Sequence, residues 1–142
     1  MEEEHPYLEE REAMMLNPLQ LAYMGDSVWE LTVRHRLVMQ RKNVHHMHLE
    51  CVQSVNAAAQ SAILRNLCEY LTDTELSIVQ RGRNAHLKHP APRNQSRADY
   101  ADSTGFEALI GYLFITGNRE RLEKLFEIIF SERESTWQSK KN

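Results

Sequence analysis

Apolar positions along this chain recur every three to four residues almost from end to end, which is the spacing of helices rather than strands. Residues 17–42, NPLQLAYMGDSVWELTVRHRLVMQRK, show it best. Leu21, Met24, Val28, Leu31 and Val38 fall on one face, and Leu19, Ala22, Trp29, Val33 and Leu37 on the opposite one. A helix apolar on both sides belongs in the middle of a fold. Asn17 is suited to an N-cap and Pro18 to the first helical position. Arg34, Arg36, Arg41 and Lys42 gather toward the far end, where the helix dipole favours cations. Residues 45–71 predict one long helix or two shorter ones. In TDTELSIVQRG, residues 72–82, Thr72 and Glu75 have capping-box spacing and Gly82 is a natural stop. Residues 83–102 contain two prolines and no apolar period. They read as a loop of a length that is uncommon in compact domains and often functional. STGFEALIGYLFITG, residues 103–117, predicts a helix capped by Ser103 or Asp102 and ended by Gly117. An amphipathic surface helix follows over residues 118–134. The expectation is an all-α bundle over 16–133, with an acidic segment at 1–15 and a flexible tail at 134–142.

Composition narrows the class. The chain has 142 residues, 42% of them hydrophobic, which suits one folded domain. No apolar run approaches a membrane span and the acidic start, MEEEH, is unlike an export signal, so no membrane partner is expected. Cys51 and Cys68 read as free thiols of a cytoplasmic protein rather than as a disulfide. The net charge of −3 hides an uneven distribution. Six glutamates lie in the first twelve residues, while residues 13–98 hold ten Lys/Arg against six Asp/Glu. Arg81, Arg83, Lys88, Arg93 and Arg97 fall in a seventeen-residue stretch without an acid. Such a patch is either a solvated basic loop or a phosphate-binding surface.

Two helices each carry one acid among apolar neighbours: Asp26 in LQLAYMGDSVW and Glu107 in GFEALIGYLFITG. A lone carboxylate in a core must be neutralised, hydrogen-bonded or metal-bound. Asp26 shares a side with Ala22, Trp29 and Val33, and Glu107 shares one with Ile110, Gly111 and Phe114. Two such helices packed together can bring the acids side by side. A divalent cation then relieves their repulsion, and oxygen ligands favour Mg²⁺ or Mn²⁺ over zinc. The alternative is that each acid partners a helix cap or an arginine. Ser27 in "GDS" is no esterase nucleophile, because it sits inside a helix. His45, His46 and His48 lack a matching Cys or acid to complete a zinc site.

These residues resemble the ribonuclease III family. LQLAYMGDSVWEL is similar to the signature helix of its catalytic domain, and FEALIGYLF to its second acidic helix, in the same order and roughly eighty residues apart. RGRNAH and SVNAAAQ resemble more specifically the Mini-ribonuclease III subgroup, which has the nuclease domain and no appended double-stranded-RNA-binding domain. The resemblance covers roughly residues 16–130. It implies an all-α homodimer with a groove for duplex RNA, Mg²⁺-dependent hydrolysis to 5′-phosphate and 3′-hydroxyl ends, and, for the subgroup, maturation of 23S ribosomal RNA precursor in a bacterial cytoplasm, with a ribosomal protein as a further candidate partner.

Carried over by position, Asp26 and Glu107 match the family's catalytic metal ligands. Two further family acids fall here on Ala22 and Thr104, which leaves room in the metal shell for water, Thr104 or Asp102. The resemblance makes Arg81, Arg83, Asn84, His86, Lys88, Arg93 and Arg97 candidate RNA contacts, and His48 an RNA contact or a packing residue. Arg83→Ala is expected to weaken RNA binding and leave the fold intact. Two other readings stand beside the enzyme: a non-catalytic binder of structured RNA on the same fold, and a helical interaction protein with buried salt bridges.

Overall fold

The computed structural model describes residues 6–85 and 96–141, with side chains as far as Glu132. Seven α-helices make up this part, and no strand occurs among the described residues. They are α1 (Glu10–Met14), α2 (Pro18–Met39), α3 (Val44–Val55), α4 (Ala57–Leu67), α5 (Asp73–Ala85), α6 (Arg97–Ile115) and α7 (Arg119–Lys141), with a short 3-10 turn at Cys68–Tyr70.

Local chemistry sets most of the ends. Asn17 caps α2 as expected: its side-chain oxygen accepts from the Leu19 N–H at 2.9 Å, and Gln20 reaches back to the Asn17 N–H at 3.1 Å. Residues 45–71 divide at Asn56, whose extended backbone breaks the helix while its side chain caps α4 through the Ala59 N–H. Thr72 and Glu75 form the reciprocal capping box at the start of α5. Gly117 ends α6 with φ +71. The Gly117 N–H donates to Phe114 and the Asn118 N–H to Leu113, the 5→2 and 6→1 pattern of a Schellman close.

Three boundaries differ from expectation. Gly82 does not stop α5, which continues to Ala85; Gly82 is buried against Gly105 of α6, so its missing side chain serves helix packing. α6 begins at Arg97, not near Ser103, because the Ser96 side chain accepts from the Asp99 N–H. Both ends of the expected loop are therefore helical. α7 also runs past residue 133 to Lys141, through the stretch read as a tail.

The central helix is α6. Residues 102–106 and 108–113 are all buried, and α2, α4 and α5 surround it. α2 is buried on one side through Ala22, Trp29, Val33 and Leu37, joined by Leu21 and Val28, but its other side is open. Tyr23, Leu31, Val38 and Met39 are exposed, which corrects the expectation of a helix covered all round. Trp29 pins the packing: its indole donates to the Ser54 carbonyl of α3 at 3.1 Å, and its ring meets Phe106 edge-on and stacks on Phe130 of α7. Glu75 is buried and held by two hydrogen bonds from Arg121, tying α7 to α5. Both cysteines are free.

Candidate active site

The site forms where α2 and α6 cross. A Cβ placed on Gly25 would sit 1.7 Å from the Glu107 carbonyl oxygen, and one on Gly111 would sit 1.8 Å from that of Leu21. The two backbones touch, and only glycine fits on either side of the contact. Asp26 follows Gly25 directly, and Glu107 precedes Gly111 by one helical turn. The acids therefore meet beside the crossing, as their placement on the two helices suggested.

Their surroundings are unequal. Asp26 is exposed, contrary to the reading that strands it in the core. Glu107 is half-buried, and its carboxyl is pushed up to about 8. Burial is the main cause, and the charge of Asp26 and a hydrogen bond with it push the same way; a hydrogen bond from Ser103 opposes them. An acid that resists ionisation next to a second acid is a place where a cation is favoured. No group of three or more His, Cys, Asp or Glu side chains with metal-site geometry occurs among the described residues. The donor set is thus two carboxylates at the protein surface. That fits Mg²⁺, which keeps several waters and is commonly held by one or two carboxylates plus phosphate oxygens.

The proposed substitutes for the missing acids have partners of their own. Asp102 is buried, accepts from the Ser61 hydroxyl at 2.6 Å and is ion-paired with Arg83. Five residues before Glu107, it lies on a different face of α6. The buried Thr104 hydroxyl donates to the Tyr100 carbonyl, and Ala22 is buried without a polar group.

The expected RNA contacts separate into three sets. Arg81 donates to the carbonyls of Met14 and Leu16 at 2.9 and 3.1 Å, so its guanidinium ties the N-terminal segment to α5 rather than facing a ligand. Arg83 is half-buried on Asp102, while Asn84, Arg97 and His48 are exposed. His86, Lys88 and Arg93 lie outside the described residues.

Sequence reasoning missed Gln60, Ser61 and Ser103. Gln60 and Ser61 are buried on α4, and each bonds the α6 residue facing it: the Ser103 hydroxyl donates to the Gln60 side-chain oxygen, and Ser61 donates to Asp102. The available signal was a polar Gln-Ser pair in the otherwise apolar run AAAQSAIL.

An acid pair at a glycine-mediated crossing of two helices is a site of the kind that helical, cation-dependent phosphodiester hydrolases use. Comparison with known proteins is specific about which. The model of the ribonuclease III domain matches residues 19–118. A Mini-ribonuclease 3 of Symbiobacterium thermophilum is 45% identical over 115 residues, covering 80% of this chain and 88% of its own. One from Clostridium tetani is 37% identical over 126 residues, covering 87% and 83%. A crystal structure of a Fusobacterium nucleatum protein superposes with a TM-score of 0.76 at 26% identity, covering 84% of this chain and 95% of that one. The chain belongs to the ribonuclease III family, in its Mini-ribonuclease 3 group, and is an endoribonuclease. No helix among the described residues is long and apolar enough to cross a membrane.

Proposed function

We propose that this enzyme cleaves double-stranded RNA in the cytoplasm with Mg²⁺, works as a homodimer, and matures the precursor of 23S ribosomal RNA. The observation that carries the catalytic part is the meeting of Asp26 and Glu107, with the Glu107 carboxyl pushed up to about 8 by burial and by its neighbour. Two acids so placed gain from a shared cation and repel each other without one.

Asp26 and Glu107 would hold the ion. When bound, a divalent cation supplies Lewis acidity toward a phosphate oxygen and a water of lowered pKa. The protein's own part is orientation. The glycine crossing fixes the two carboxylates relative to each other, and Ser103 approaches Glu107 Oε1 at 3.3 Å. Arg97 and Asn84, with Lys88 and Arg93, serve the phosphates of the duplex; Arg83 joins them from its place on Asp102. Hydrolysis adds the oxygen of water to phosphorus and breaks the P–O3′ bond, which leaves 5′-phosphate and 3′-hydroxyl ends.

The homodimer is supported by the open side of α2. Tyr23 and Leu31 on α2 are 82% and 69% exposed, and Val44, Leu49 and Val52 on α3 are exposed as well. Apolar exposure of this extent is what a second subunit would cover.

The test is incubation of duplex RNA with Mg²⁺ and wild type, Asp26→Asn or Glu107→Gln, with RNA binding measured separately in Ca²⁺. Each substitution is expected to cut the cleavage rate by at least about a hundredfold, the upper end of what losing an outer-shell partner costs, and to leave RNA binding intact. Equal behaviour of wild type and variants, with binding but no cutting, would establish the non-catalytic reading instead.

A further inference from the structure

Behind Glu107 lies a buried pair that the reading above does not use. Gln60 on α4 is 1% exposed, and Ser103 on α6 is 7% exposed, one turn before Glu107. The Ser103 hydroxyl donates to Gln60 Oε1 and also lies 3.3 Å from Glu107 Oε1. A hydroxyl has one proton, so it serves one of these acceptors at a time. Gln60 Nε2 is buried without a hydrogen-bond partner among the described residues. Turning the amide over exchanges its oxygen and nitrogen without changing its shape. Nε2 would then donate to Ser103, the Ser103 proton would be free for Glu107, and the displaced oxygen would take the unpartnered place.

In either orientation one amide atom of Gln60 goes without a partner. Packing alone does not account for a glutamine here, since an apolar side chain of similar size would fill the space at no polar cost. What Gln60 adds is directional: it fixes the Ser103 hydroxyl, which stands directly behind Glu107. Its neighbour Ser61 grips Asp102, the residue before Ser103, and Asp102 holds Arg83. Two adjacent residues of α4 thus hold two adjacent residues of α6. One line leads to the acid pair, the other to the basic segment.

We propose that Gln60, acting through Ser103, is a positioning residue for Glu107, and that this pair holds the carboxylate in the rotamer that faces Asp26 and the cation the two share. The inference rests on the reading of Glu107 as a metal ligand. Carboxylates that ligate metals are themselves held by hydrogen bonds, and the holding groups matter nearly as much as the ligands.

The experiment uses Gln60→Met, Ser103→Ala and the double variant, with Glu107→Gln as control. Three quantities are read on the full chain: the thermal midpoint, Mn²⁺ affinity from the free-ion signal in electron paramagnetic resonance, and kcat and KM on duplex RNA. Ser103→Ala alone should lower both stability and Mn²⁺ affinity, because it strands the Gln60 amide and releases Glu107. The double variant should regain the thermal midpoint, while Mn²⁺ affinity stays roughly ten- to a hundredfold weaker and kcat falls with KM unchanged. Gln60→Met alone, which keeps the hydroxyl but frees its rotation, should weaken Mn²⁺ binding without loss of stability. If the double variant binds Mn²⁺ and turns over like wild type while Glu107→Gln does not, the pair is structural and the inference fails alone. If Glu107→Gln itself binds Mn²⁺ like wild type, the metal-ligand reading falls, and this inference with it.

Discussion

Asp26 is exposed and Glu107 is half-buried, and that difference in shelter separates their chemistry. Asp26 sits at the open lip, while Glu107 is tucked under the α2–α6 crossing and holds its proton up to about pH 8. An acid whose pKa is higher folded than unfolded is most favourable to folding below its unfolded value, and that contribution is lost as pH rises through the folded one. Without a divalent ion, unfolding free energy in urea should therefore decline between the ordinary 4.5 and about 8, by up to a few kcal/mol from this group. Glu107→Gln should remove that decline. Saturating Mg²⁺ should flatten it too, since the ion replaces the proton. The same competition predicts that the Mg²⁺ concentration needed for half-maximal cleavage falls as pH rises toward 8. Arg83 shows how neighbours limit a clean experiment. It neutralises the buried Asp102, so Arg83→Ala would leave an unpaired buried charge and cost stability, contrary to the expectation of an intact fold. The exposed Arg97 is the better probe.

Helices bring these residues together through glycine. Gly25 and Gly111 let α2 and α6 meet backbone to backbone, and Gly82 and Gly105 do the same for α5 and α6. At each crossing a Cβ would strike the facing backbone rather than a yielding side chain. Gly111→Ala should therefore push α2 and α6 apart and destabilise the fold by about 3 kcal/mol, the upper range for overpacking. It should also weaken Mn²⁺ binding, because the carboxylates move apart with their helices. Thermal unfolding together with a Mn²⁺ titration checks both effects. Wild-type affinity in a folded Gly111→Ala protein would show that the crossing does not set the distance between the acids. α7 is attached differently, by the Glu75–Arg121 pair and by Phe126 and Phe130 against Trp29. Burial pushes the Glu75 carboxyl up, but Arg121 and the Thr72 backbone outweigh it and hold it below the usual carboxylate range.

The molecule as a unit presents an apolar face on α2 and α3, and Arg97 is exposed at the start of α6. Asp26 stands on α2, so pairing through the open side of that helix would set two acid pairs on one assembly. Leu31→Glu, at an exposed position, should leave the monomer folded and shift sedimentation from dimer to monomer, with duplex cleavage falling in parallel. A dimer that persists with Leu31→Glu would move the proposed interface elsewhere. Arg97→Ala should weaken RNA binding across duplex sequences and reduce the slope of log affinity against log salt by about one, as expected for one lost phosphate contact. An unchanged slope would remove Arg97 from the RNA surface.

Much of this was legible in the chain because it is local. The period of apolar positions gave the helices, Asn17, Thr72–Glu75 and Gly117 marked their ends, and two acids in apolar stretches marked the chemistry. Those signals act over a few residues and need no partner. The packing of α6 at the centre and the open side of α2 depend on which faces meet. Gly82 as a contact, Arg81 as a tie to the N-terminal segment, and Asp102 as the partner of Ser61 and Arg83 are likewise invisible along the chain. Each joins groups far apart in the chain, the nearest being Arg83 and Asp102, and a residue type does not reveal its partner across such a gap. The types of group at the site follow from the linear order; their distances, their unequal shelter and the raised pKa of Glu107 arise only once α2 and α6 touch.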